Sequence, residues 1–307
     1  MTEFNKTIGE TLHYLKMRGV FYCKSDLFGD WGILMPSMPN TSMFHIVTEG
    51  ECIIDQGTKT LTLKAGDFVF IPKGEGHIIR SKKNKTLVDF FSLPIKKISD
   101  NYEVLEVGKE GGRTTMLCGV IKLEHPSAEF LIESMPNLIN LECSKSKFSD
   151  WVSHTVRLIS IEAETRQIGG ETILTRLADV LIIQVLRHWI ESEIAQESSW
   201  LMAIKDEKIG KSLSLIHENP HIAWTLKNLG KEVGMSRTSF ALRFSELVGQ
   251  PMFKYLTKWR MSLAAMKIGE GEKITPELME NLGYKSESAF RRAFKSVHGK
   301  KVSEYNK

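Results

Sequence analysis

One pattern written twice in the C-terminal third constrains this 307-residue chain most. The first copy spans residues 225–249 and places Gly234, Ser236, Phe240, Phe244 and Gly249 in order. The second spans 273–299 and places Gly283, Ser286, Phe290, Phe294 and Gly299 at nearly the same spacings. Each copy reads as two short helices. In the first, Leu226, Leu229 and Val233 give an apolar stripe at spacings of three and four. Gly234 supplies a tight turn, and Ser236 offers a side-chain oxygen to cap the next helix, whose buried residues are Phe240, Phe244 and Leu247. In the second, Thr275 caps a helix with Pro276 at its first position, Leu278 and Leu282 face inward, and Ser286 caps a helix burying Phe290, Phe294 and Val297. Two short helices around a glycine turn are either a plain helical hairpin or a helix-turn-helix, whose second helix enters the major groove of DNA.

The exposed face of the first unit's second helix then carries Arg237, Thr238, Ala241, Leu242, Arg243 and Ser245. Arginine suits phosphate or guanine, and Thr238, Ala241 and Leu242 suit thymine methyls. Residues 253–268 between the units read as one helix spanning about 24 Å, which with its flanks sets two recognition helices near the ~34 Å groove repeat. Charge follows the same division. Residues 206–307 hold 18 basic and 11 acidic side chains, net +7, whereas 1–205 hold 23 and 26, net −3. A basic module joined to a mildly acidic remainder fits a nucleic-acid partner.

Residues 206–305 resemble the DNA-binding domain of the AraC/XylS family. The resemblance rests on residues 283–295, GYKSESAFRRAFK, and on 255–261, YLTKWRM. It implies seven helices, two helix-turn-helix units and binding to adjacent major grooves. It also implies that positions 238, 241 and 242, and Ser288, Arg291 and Arg292 in the second unit, face bases or nearby phosphates. Leu242 stands where a basic residue is frequent, Ala241 offers no hydrogen bond, and Gly230 replaces the usual alanine. That glycine is expected to loosen its helix by about 0.5–1 kcal/mol. Phosphate anchoring by Arg237 and Arg243 is therefore expected to dominate the first unit, and guanine contact by Arg292 the second.

Before residue 95 the signals are those of strands: short apolar runs such as 68–71, separated by the turn sequences 55–57, 64–67 and 72–76. Such spacing predicts a small barrel or sandwich. Residues 66–77, GDFVFIPKGEGH, resemble the second cupin motif, and 44–50, FHIVTEG, a strand of the first. With Trp31, residues 114–119 and Trp151, the resemblance extends to AraC-type regulators that carry an N-terminal cupin sensor, and it implies a central pocket for an effector. His45 and His77 are placed to point inward, either as hydrogen-bonding pocket or core residues or as a metal pair. Residues 38–43 contain no histidine or acid, so the ligand count falls short of the three that a catalytic metal needs, and no cofactor is expected. His13, His125 and His154 have no partner at useful spacing.

Cys23, Cys52, Cys118 and Cys143 form no CxxC motif. Cys23 and Cys118 are either redox-sensing thiolates or small buried hydrophobes. A helix over 173–189 is a candidate homodimer interface, unless its stripe packs within its own domain. No apolar run approaches the ~20 residues of a membrane helix, and the first residues carry no secretory pattern, so a cytoplasmic protein without membrane contact is expected. The fold class expected is α+β: a cupin-like β-barrel with accessory helices over 1–195, a linker over 196–205, and an all-α domain with two helix-turn-helix units over 206–307. The function expected is a regulator, not an enzyme. It binds promoter DNA under control of a small molecule or oxidant, and contacts RNA polymerase if it activates. The alternative is a metal-dependent cupin enzyme with a DNA-binding appendage.

Overall fold

β-branched and aromatic runs broken by glycine turns become twelve short strands in the computed structural model, which describes residues 17–81, 86–123, 125–141, 149–165, 168–192 and 199–305. The strands are β1 (Met17–Phe28), β2 (Gly32–Met35), β3 (Ser42–Glu49), β4 (Glu51–Gln56), β5 (Lys59–Lys64), β6 (Phe68–Ile71), β7 (His77–Arg80), β8 (Val88–Asp89), β9 (Ile95–Lys97), β10 (Tyr102–Val107), β11 (Arg113–Leu123) and β12 (Ile139–Leu141). They form a seven-stranded sheet in the order β12-β6-β3-β11-β1-β10-β9 and a five-stranded sheet in the order β5-β4-β7-β2-β8. Pairing is antiparallel except for β1 with β10 and β2 with β8. Among the described residues no hydrogen-bonded pairing joins the two sheets, so the expected barrel is two sheets sharing one apolar core.

That core draws Leu27, Met43 and Val47 from the larger sheet and Ile33, Ile54 and Ile79 from the smaller. Residues 42–47 of β3 are all buried, as a strand covered on both faces requires. One face meets the core, and the other lies under the helical hairpin of α2 (Ser149–Thr165) and α3 (Gly170–Glu191). Helix α3 buries Leu174, Ala178, Leu181, Val185 and Trp189 on that side. The stripe expected of 173–189 thus packs largely within its own unit, but Ile173 and Val180 remain exposed on another face.

The described residues divide into two compact units, one drawn from 17–123 and 135–192, the other of 125–134 with 199–305. The second unit contains α1 (Pro126–Ser134), α4 (Ser199–Lys205), α5 (Glu207–Glu218), α6 (Leu226–Glu232), α7 (Arg237–Val248), α8 (Met252–Gly269), α9 (Pro276–Asn281) and α10 (Glu287–His298). After residue 206 there are six α-helices and one 3₁₀ turn at Val302–Glu304, in place of seven α-helices.

Two boundaries differ from the continuous division expected of the sequence. Helix α1 belongs with the helical unit, because Phe130 packs on Tyr255 with ring centroids 4.7 Å apart and Lys258 bonds Glu133 at 2.7 Å. Residues 199–205 of the expected linker form α4, which buries Trp200, Leu201 and Ile204. In both cases an apolar residue at helical spacing finds a partner that local sequence does not reveal. Cys143 and His13 lie outside the described residues.

Candidate nucleic-acid interface and buried cavity

Each helix pair of the helical unit is assembled by the same local chemistry. The Thr225 hydroxyl accepts from the Asn228 amide, and the Asn228 side chain accepts from the Thr225 amide. Helix α6 buries Leu229 and is followed, after its C-cap Val233, by Gly234, whose φ of +66° is the left-handed conformation that favours glycine. The Ser236 hydroxyl caps α7 by accepting from the Ser239 amide. In the second pair Thr275 caps α9 with Pro276 at its first turn, Gly283 turns with φ +76°, and Ser286 caps α10. Phe240, Phe244, Phe290 and Phe294 are all buried. Leu247, expected in the core, is half-buried, and Val248 takes the fully inward place.

Gly230 also acts differently from expectation. A Cβ there would sit 3.0 Å from the Met235 carbonyl oxygen and 3.4 Å from the Phe240 Cβ. Its missing side chain lets the turn close against α7, so the helix-loosening expected of glycine is set against tighter packing.

The exposed face of α7 presents Arg237, Thr238, Leu242 and Arg243, with Ala241 half-buried. On α10 the corresponding face presents Ser288, Arg291 and Arg292. Their guanidinium groups are not equivalent. Arg243 donates through Nε to Asp206 Oδ2 at 3.0 Å and through Nη2 to the same oxygen. Asp206 is itself the N-cap of α5, taking the Lys208 and Ile209 amides on Oδ1. Burial alone would raise the Asp206 carboxyl, but Arg243 and the two amides outweigh it and hold it below the ordinary range. Arg243 is therefore engaged within the fold. Arg291 pairs with Glu287 one turn earlier at 2.6 Å.

Sequence reasoning passed over Arg260, which ties the two pairs together from α8. It donates to the Pro220 and Ile222 carbonyls at 2.7 and 2.8 Å and lies 5.8 Å from the Tyr284 ring centre. Its place beside Trp259 in a helix of mixed polarity was the available signal. Asp206 was equally legible as an acid preceding an amphipathic run.

In the sheet unit, His45 on β3 and His77 on β7 meet from opposite sheets, Nε2 to Nε2 at 2.8 Å. The tautomers follow from one further contact. The Glu75 carbonyl can only accept, so His77 Nδ1 donates to it at 3.0 Å and His77 Nε2 carries a lone pair. His45 must then donate through Nε2. Its Nδ1 is left as a buried acceptor without a hydrogen-bond partner among the described residues. Burial, and for His45 the neighbouring ring, depresses both basicities: His77 falls to about 4 and His45 well below its ordinary value. A neutral, mutually bonded pair leaves its facing nitrogens too close to share a metal at bond lengths near 2 Å with tetrahedral angles. Among the described residues no group of three His, Cys, Asp or Glu side chains could hold a metal ion.

His45 lines a cavity of about 20 Å³ together with Cys23, Met43, Met116 and Cys118. A space of that size holds roughly one water. Cys23 and Cys118 are register partners on β1 and β11, and Cys118 is in turn opposite His45. Burial pushes the Cys23 thiol up to about 11 and Cys118 well above its usual value, which favours the thiol over the thiolate in both.

Comparison with known proteins finds two matched regions. Residues 7–191 match the family described as Cupin, and residues 229–307 match one described as a helix-turn-helix domain. A transcriptional regulator of the helix-turn-helix type from Haemophilus influenzae is 26% identical, over 96% of both chains. A putative AraC-like transcription regulator of Streptomyces lividans is 26% identical over 97% of both. The helix-turn-helix regulator AlkR of Acinetobacter baylyi is 26% identical over 87% of this chain and 88% of its own.

Proposed function

We propose a function that proceeds from one premise: the chain belongs to the AraC-type transcription regulators that carry an N-terminal cupin domain. The protein reads promoter DNA with α7 and α10 in adjacent major grooves, and its cupin unit converts a chemical signal into a change in that reading. The observation that carries the DNA-binding part is the repeat of capped helix, left-handed glycine and second helix, each time with its phenylalanines buried and an arginine-bearing face outward.

The contact residues proposed are Arg237, Thr238, Ala241 and Leu242 on α7 and Ser288, Arg291 and Arg292 on α10, with Arg243 held back by Asp206. The effector site proposed is the cavity beside His45 and His77. At its present size an organic effector would enter only if the two sheets part, so binding and shape change are coupled there. Cys23 and Cys118 supply a redox variant of the same signal, in which an oxidant reaching the cavity meets two opposed thiols; their raised pKa values weigh against rapid attack. A homodimer through the exposed face of α3 would carry paired operators, and RNA polymerase is the further partner if the protein activates. No described helix is long and apolar enough to cross a membrane, and a DNA partner assigns the protein to the cytoplasm.

Purified full-length protein, offered a random DNA pool at moderate salt, should enrich one sequence. Replacing both α7 and α10 contact sets with alanine should abolish enrichment while leaving the thermal transition intact. Equal enrichment by that variant would refute the reading.

A further inference from the structure

We infer that α7 selects thymine through the 5-methyl group, with Leu242 as its specificity-determining residue. The inference rests on the DNA-reading role proposed above and adds the class of base that the first unit takes.

Leu242 is 69% exposed, more than any other large hydrophobic side chain described in the helical unit. It lies away from Phe240, Phe244 and Val248, which carry the buried side of the same helix. Aligning the two units on Phe240 and Phe290 puts Leu242 at the position of Arg292, Ala241 at that of Arg291 and Thr238 at that of Ser288. The same site in the repeat therefore has two chemistries. On α10 it offers guanidinium groups. On α7 it offers a branched alkyl tip flanked by a methyl and a short hydroxyl-bearing side chain.

The arginines of α7 do not restore the missing donors. Arg243 is bound to Asp206, and Arg237 is the first residue of the helix, one turn before Ala241. The centre of the face thus lacks any side chain able to make a two-point hydrogen bond to guanine or adenine. In the major groove thymine alone among the four standard bases presents a methyl group, and an apolar side chain is what recognises it. A protein partner would be the other occupant of an exposed leucine. The placement in the middle of the second helix of a helix-turn-helix favours the base, and the test separates the two.

The experiment uses the full chain and an operator obtained by selection. Each thymine in the half-site protected by α7 is replaced singly with deoxyuridine, which removes only the methyl. At one or two positions wild-type affinity should fall about fourfold, the ratio that about 0.8 kcal/mol per buried carbon gives. Leu242→Ala should bind the thymine operator about fourfold more weakly and be indifferent to deoxyuridine at those positions. Its salt dependence should not change, since no charge is lost. Leu242→Met, which keeps an apolar tip, should retain the preference for thymine.

Wild-type protein that binds the operator but tolerates deoxyuridine everywhere would overturn the inference and leave DNA reading standing. So would Leu242→Ala losing the same factor on both DNAs, the result expected of a contact that does not read the methyl, or losing nothing on either, the result expected if Leu242 serves a protein partner. Failure to select any operator would instead remove the DNA-reading role itself, and the inference with it.

Discussion

Arg292 and Arg243 are both exposed arginines on second helices, yet only Arg243 is already bound to an acid within the fold. Removing Arg292 should relax preference at one or two base pairs by about 1–3 kcal/mol, the worth of a two-point contact to guanine. Removing Arg243 should leave base preference intact and shallow the salt slope by less than the one phosphate that a free arginine would neutralise. Binding-site selection and a salt titration with each variant measure both. The His45–His77 pair gives a prediction in pH. His77 stands near 4 folded against an ordinary value of 6.5, so the unfolded chain takes up its proton first as pH falls. Stability is full above pH 6.5 and declines toward pH 4, by at most about 3 kcal/mol from this group at 1.36 kcal/mol per unit. Urea unfolding across that range should show the decline, and His77→Gln should remove the share due to His77 while leaving that of His45. The inward direction of both histidines was legible from strand alternation. Their contact was not, because β3 and β7 belong to different sheets and only tertiary packing brings them together.

At the scale of elements, the two helix pairs were legible almost completely, since caps, turn glycines and phenylalanine spacing are local and reinforce one another. The tight approach at Gly230 was not legible, because it depends on where the Phe240 Cβ lies. Nor was the place of α1, whose Phe130 finds Tyr255 more than a hundred residues away. Strand order was likewise hidden: β1 pairs with β10 and β11 across the whole sheet region. Asp206 carries the element-scale prediction. It caps α5 and holds Arg243, so Asp206→Ala should destabilise the helical unit by about 1–2 kcal/mol through the lost cap. Asp206→Asn keeps a capping oxygen and should recover most of that loss. Thermal unfolding of the two variants distinguishes them; equal losses would mean that the ion pair, not the cap, matters.

At the scale of the whole molecule, an acidic N-terminal part joined to a basic C-terminal part was visible in composition, and the families matched by the two regions agree with it. Ile173 and Val180 lie seven residues apart on α3 and are 45% and 42% exposed. If that face pairs two copies, Val180→Glu should shift the protein from dimer to monomer in sedimentation without lowering its helix content, and should weaken binding to paired half-sites more than to single ones. Whether α7 and α10 read adjacent grooves is decided by selecting operators from random DNA with the full chain and measuring affinity against salt. The expected result is one motif made of two boxes centred about 10–10.5 base pairs apart, with log affinity falling linearly as log salt rises. A single undivided box, no enriched sequence, or binding that ignores salt would contradict it.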